Sequence, residues 1–135
     1  MKILIAPDKY KGSLSAFEVC EAISSALQIA DSELLVQSIP MADGGEGTAR
    51  LLTDHTNGDW VTCHIHDPLF HQREAGYGIS GDGVTAFIEM AAASGLQLLT
   101  PFEPNPLKTS TLGTGELIAD ALNRGVKKIV LAIGG

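Results

Sequence analysis

Short apolar runs, polar glycine-bearing loops and stretches of helical periodicity follow one another along the chain. Ile3 to Ala6 is a continuous apolar run, the pattern of a strand covered on both faces. After the polar segment Asp8 to Ser13, residues Phe17, Cys20, Ala22, Ile23, Ala26 and Leu27 recur at helical spacing as far as Ala30, with Ser15 and Glu18 placed for a capping box. Leu34 to Ile39 predicts a second strand. It leads through Pro40 to Thr48 into a helix carrying Ala49, Leu51 and Leu52 and closed by Asn57-Gly58. Two strand-loop-helix units in succession predict a parallel sheet with a right-handed crossover.

The period then changes from helical to alternating. Val61, Cys63 and Ile65 alternate with Thr62, His64 and His66, and after Asp67-Pro68-Leu69 the alternation resumes at Ala75, Tyr77 and Ile79. Ser80-Gly81-Asp82-Gly83 predicts a hairpin turn, so Trp60 to Met90 reads as an antiparallel meander, with Ala86 and Ile88 on one face and Phe87 and Glu89 on the other. A short turn at Ser94-Gly95 and a loop from Thr100 precede a helix expected from about Gly115 to Arg124 and ended by Gly125. The last apolar run reaches Ile133 and delivers the backbone to Gly134-Gly135, a pair that commonly opens a turn at the sheet edge where α/β proteins bind ligands. The fold class expected is α/β: Rossmann-like parallel βα units plus a mixed, partly antiparallel second subdomain, divided into 1–59 and 60–135.

Composition narrows the function. A formal charge of -7 over 135 residues argues against a nonspecific grip on nucleic acid. Cys20 and Cys63 are far apart and show no metal-ligand spacing, which fits two buried thiols in a reducing compartment. The N-terminal apolar stretch is too short for a signal or a membrane span. Neither GxxxxGK[ST] nor GxGxxG after the first strand occurs. His64, His66 and His71 with Asp67 read as a solvated strand face rather than a metal site, and no metal ligands are assigned. Glu89, inside an apolar strand end, is either a sheet-edge residue or a site residue.

Three loops lie between an apolar run and a helix, where backbone N–H groups and the helix dipole favour phosphate or carboxylate. Asp8-Lys9-Tyr10-Lys11-Gly12-Ser13 offers two ammonium groups, a flexible step and a hydroxyl, or is a solubilising surface loop. Asp43-Gly44-Gly45-Glu46-Gly47-Thr48 places two carboxylates among glycines, suited to holding Mg²⁺ through water or accepting a hydroxyl proton, or to capping a helix. Asn105 to Glu116, with Lys108, Thr111, Gly113, Thr114 and Gly115, has the make-up of an oxyanion cradle, or of an extended loop with Thr114 as helix cap.

In this order, Asp8 to Ala16, Met41 to Thr48, Asp67-Pro68-Leu69, Ile88 to Ala91, Asn105-Pro106-Leu107 and Gly113 to Ile118 resemble the bacterial glycerate kinase type 1 family from one end of the chain to the other. The resemblance implies a fold of two α/β domains with the site in the cleft between them, in a soluble cytoplasmic enzyme. It implies transfer of the γ-phosphoryl of ATP, with Mg²⁺, to a hydroxyl of D-glycerate. On that reading Asp8, Lys11 and Asp43 are the catalytic candidates, and Lys9, Ser13, Glu46, Lys108, Thr111, Gly113, Thr114 and Gly115 the substrate-binding ones. Family members are longer, so the chain is expected to be an N-terminal portion, inactive alone and prone to self-association. A noncatalytic anion-binding fragment and a kinase for a related sugar acid are the alternatives.

Overall fold

The computed structural model describes residues 1–134. They fall into two compact units, one of Met1–Asp43 and one that begins at Gly44. The first unit is built on β1 (Lys2–Ile5) and β2 (Leu35–Ser38), which pair in parallel with Lys2 opposite Leu35 and Ile5 opposite Ser38. Between them runs α1 (Ala16–Ala30). The capping box is formed: the Glu18 N–H donates to Ser15 Oγ at 3.2 Å, and the Ser15 N–H donates to the Glu18 carboxylate at 2.7 Å. Ala16, Val19 and Cys20 are the buried face of α1, whereas Ile29 on the helix, Leu4 on β1 and Leu35 on β2 are exposed. A two-stranded parallel sheet therefore leaves much of its apolar surface uncovered.

The second unit contains α2 (Thr48–His55), β3 (Asp59–His66), β4 (Gln72–Ile79), β5 (Thr85–Glu89), α3 (Met90–Ser94), α4 (Leu112–Asn123) and β6 (Lys128–Ala132). The strands form one sheet in the order β3-β4-β5-β6, antiparallel in the first two pairings and parallel in the third. Strand parity explains the layers. Ile65, Ala75, Tyr77, Ala86 and Ile88 meet Leu117 and Ala121 of α4 and Ala93 of α3 in one core, while Gly78 and Glu89, on the opposite parity, meet α2. The Thr53 side chain lies directly over Gly78, where a Cβ would collide with it, so glycine there is a condition of α2 packing on the sheet. On the same layer Arg50 stands 5.6 Å from the centre of the Trp60 ring and 3.4 Å from Asp54. In the core, the Tyr77 hydroxyl donates to Asp120 at 2.8 Å, and Arg124 donates to the same carboxylate oxygen.

Two elements differ from the expectation. α4 starts at Leu112 rather than near Gly115, with Thr111 as its N-cap. Gly113 is the reason it can: a Cβ there would strike the His66 carbonyl, so the helix closes on the end of β3 only with a glycine in its first turn. The turn expected at Ser94-Gly95 is preceded by α3, a run of alanines too short to show a period, and followed by a 3₁₀ turn at Leu96–Leu98. The compact boundary also falls after Asp43, because α2 packs on β4 and β5, whereas the change of sequence period near Trp60 marks where antiparallel pairing begins.

Leu117 is fully buried beneath the sheet and Leu122, on the outer side of the same helix, is about half exposed. Leu117→Ala should cost about 3 kcal/mol of unfolding free energy and Leu122→Ala less than about 1, read from urea midpoints at unchanged slope. Equal losses would contradict the placement of α4.

Candidate functional site

Each unit presents candidate residues beyond the C-terminal ends of parallel strands. In the first unit, the Ile39 N–H donates to Ile5 O and the Met41 N–H to Pro7 O, both at 2.8 Å, so the segments leaving β1 and β2 continue side by side. This brings Asp8, Lys9 and Asp43 to one edge. Lys9 Nζ lies 3.6 Å from Asp43 Oδ1, with the lysine mostly buried and the aspartate two-thirds exposed. The Asp8 carboxylate accepts the Lys9 N–H at 2.6 Å. Tyr10 to Ser13 then turns back on itself: the Ser13 N–H donates to Tyr10 O at 2.9 Å, and Gly12 supplies φ +71 at the third position. Lys11 and Ser13 are exposed on that turn.

In the second unit the acidic glycine loop is short and anchored at several points. Gly44 and Gly47 both adopt φ +93. The Gly44 N–H donates to Thr48 Oγ1 at 3.1 Å, and Gly44 O accepts the Gly134 N–H at 2.8 Å. Ala49, in the first turn of α2, donates its N–H to Glu89 Oε1 at 2.7 Å, with the glutamate nine-tenths buried at the end of β5. A carboxylate in a strand covered on both faces must find donors, and the helix N-terminus supplies one. Glu46 is exposed on the loop.

The mouth of α4 is built differently. Thr111 makes no side-chain capping bond, and the first turn holds no acidic residue. Leu112 N–H donates to Ser110 Oγ at 3.1 Å. Pro68, Ser94, Leu96, Leu99, Thr109, Ser110 and Thr111 line an open cleft of about 370 Å³ beside it. Thr111 is exposed, Gly115 has open space where a Cβ would be, and Lys108 is exposed on the preceding loop. Thr114 is buried instead, its hydroxyl 2.7 Å from Ser94 Oγ, so that hydroxyl is spent inside the fold. Glu116, which the sequence pattern gives no role of its own, is structural and specific. It accepts the His66 N–H at 2.6 Å and lies 2.7 Å from His66 Nδ1, fastening the first turns of α4 to the end of β3. Beyond β3, Asp67 accepts the N–H groups of Leu69 and His71 while Phe70 takes φ +69, and Pro68 O accepts the Ser110 N–H at 2.9 Å. His64 is exposed, 3.9 Å from Glu74. Among the described residues no group of three or more His, Cys, Asp or Glu side chains is placed to hold a metal ion.

Comparison with known proteins gives a consistent picture. The model of the glycerate kinase family matches residues 3–135. The chain is 49% identical over 135 residues to a glycerate kinase of Haemophilus influenzae and 49% identical to the glycerate 2-kinase of Escherichia coli K12, covering all of this chain and 36% and 35% of theirs. A crystal structure from Salmonella typhimurium LT2, assigned as glycerate kinase 2, superposes with a TM-score of 0.83 at 50% identity, over all of this chain and 36% of that one. The chain thus spans about a third of the length of the relatives it matches.

Desolvation pushes the Glu116 carboxyl up, but the two hydrogen bonds from His66 and the charge of its ring outweigh it and hold the group below the ordinary glutamate range. A depressed carboxylate contributes stability that is present above its unfolded value and lost as pH falls through its folded value. Stability should therefore drop as pH goes below about 4.5, the ordinary value for this side chain, and Glu116→Gln should make that drop shallower. Urea midpoints measured across the acid range check this; an unchanged slope in the variant would show that the pair carries no such linkage.

Proposed function

The chain belongs to the glycerate kinase family, and on that premise we propose that a polypeptide of the relatives' length carrying this segment transfers the γ-phosphoryl of ATP to a hydroxyl of D-glycerate in the cytoplasm. The observation that carries the division of roles is the contrast among three helix mouths. The start of α1 is closed by Ser15 and Glu18, and that of α2 by Glu89, whereas α4 begins without an acidic residue or a cap from its own N-cap side chain, beside a cleft lined with hydroxyls. An anionic group is stabilised at the last and repelled by the carboxylates at the first two.

Thr111, the backbone N–H groups of Gly113 and Thr114, and Lys108 then receive a phosphate or carboxylate group, whereas the Gly115 N–H is spent on Thr111 O at 3.2 Å. Lys11 and Ser13, exposed on a tight turn, and Lys9, partly shielded beside Asp43, grip the glycerate carboxylate or the transferring phosphoryl. Asp8 or Asp43 orients the substrate hydroxyl and takes its proton, and the Glu46 loop lets substrate approach backbone. Mg²⁺ neutralises charge on the phosphates in such transfers. It prefers hard oxygen ligands and keeps several waters, so the exposed Asp43 carboxylate suits it without an all-protein cage. Among the described residues no helix is long and apolar enough to cross a membrane. Exposed Leu4, Ile29 and Leu35 favour self-association of the 135-residue chain when it stands alone, without turnover.

The test is a chimera in which these 135 residues replace the equivalent part of the Escherichia coli relative. It should release ADP in a glycerate-dependent way, and Lys11→Ala or Asp43→Asn should lower kcat/KM at least about tenfold. Variants within about threefold of the parent would remove those residues from the mechanism, and turnover with other hydroxy acids instead of glycerate would change the substrate.

A further inference from the structure

The acidic glycine loop is set from beneath by Glu89 at the end of β5 and by Gly134 after β6. Gly134 follows β6, and its N–H donates to Gly44 O. A Cβ on Gly134 would come within 2.7 Å of the Gly45 nitrogen and 2.8 Å of the Gly44 carbonyl carbon and oxygen, closer than real contacts allow. The neighbouring strand, β5, ends in Glu89, whose buried carboxylate holds the Ala49 N–H immediately beyond the loop. Gly44 and Gly47, at φ +93, sit in a conformation glycine adopts without strain but also leaves readily, so the loop keeps one shape only if its ends are fixed.

We propose that Glu89 and Gly134 are positioning residues for catalysis: β5 and β6 fix the two ends of the Gly44–Thr48 loop, and through it the placement of Glu46 and of the backbone that substrate approaches. The inference rests on the reading of this loop as part of the kinase site. Preorganisation of this kind matters because an error of about 1 Å in a loop that bears reacting groups can cost about a hundredfold in rate. Neither residue touches substrate in this scheme. Gly134 acts through backbone clearance and Glu89 through a hydrogen bond to a helix N-terminus.

Two measurements separate this inference from the reading it rests on. The first is amide hydrogen exchange at Gly44, Gly45, Gly47 and Thr48 in the 135-residue chain. Gly134→Ala should speed exchange there at least about fivefold while the rest of the sheet is unchanged. The second is steady-state kinetics of the chimera. Gly134→Ala and Glu89→Ala should each lower kcat about tenfold or more, with melting temperature within about 3 °C of the parent for Gly134→Ala. Glu89→Gln, which keeps an acceptor for the Ala49 N–H, should stay within about threefold of the parent, and it carries the glutamate test if the alanine variant does not fold. Unchanged loop exchange in Gly134→Ala overturns the inference, as does a kcat that falls only in step with stability. A chimera with no glycerate-dependent ADP release, together with the expected exchange change, would leave the loop anchored as proposed and refute the kinase reading instead.

Discussion

The seating of the first turns of α4 on the end of β3 is the constraint on which the second unit depends. Three contributions converge there. Gly113 removes the side chain that would hold helix and strand apart, Glu116 takes both the backbone and the ring of His66, and Leu117 fills the core just below. Removing the clearance would push the helix off the sheet, and with it Leu117 and Ala121, which close the core against Tyr77 and Ile88. The same contact aims the helix mouth, since Asp67 and Pro68 follow His66 directly and Pro68 is tied to Ser110. Stability and site geometry are thus one arrangement here.

Carboxylates do much of the structural work. Glu18, Glu89, Asp67 and Glu116 all accept backbone N–H groups, and Asp120 accepts the Tyr77 hydroxyl and the Arg124 guanidinium. A chain of net charge -7 can carry these groups because each meets fixed donors rather than bulk apolar surface. Asp43 is two-thirds exposed and lies 3.6 Å from Lys9, and Glu46 is exposed on its loop.

Much of the fold was legible from periodicity. The parallel β1-β2 pair with its capped helix, the antiparallel meander and the final strand all follow from runs and alternations in the sequence. The start of α4 was not, because Gly113 and Gly115 read as loop residues when the partner that demands a glycine, the His66 carbonyl, is 47 positions away. Glu89 was visible as an anomaly but not as an answer: an isolated carboxylate in an apolar run signals a buried partner without naming it, and Ala49 offers no polar side chain to betray the bond. The closing glycines read as the opening of a turn. In the structure Gly134 is already used as a point where two backbones touch, which a local reading of the chain has no means to express. The candidate loops were found because glycine and charge cluster in them, whereas the residues that hold those loops in place belong to other strands.

The lone tryptophan gives this architecture an optical handle. Trp60 stands on the face of the sheet that α2 covers, half exposed, with the Arg50 guanidinium over its ring and Gly76 beneath it. Loosening of α2 changes the polarity around the indole and moves the cation above it, while the core cluster lies on the other side of the sheet. The molecule therefore carries a native fluorophore whose emission follows the very helix that the acidic loop runs into.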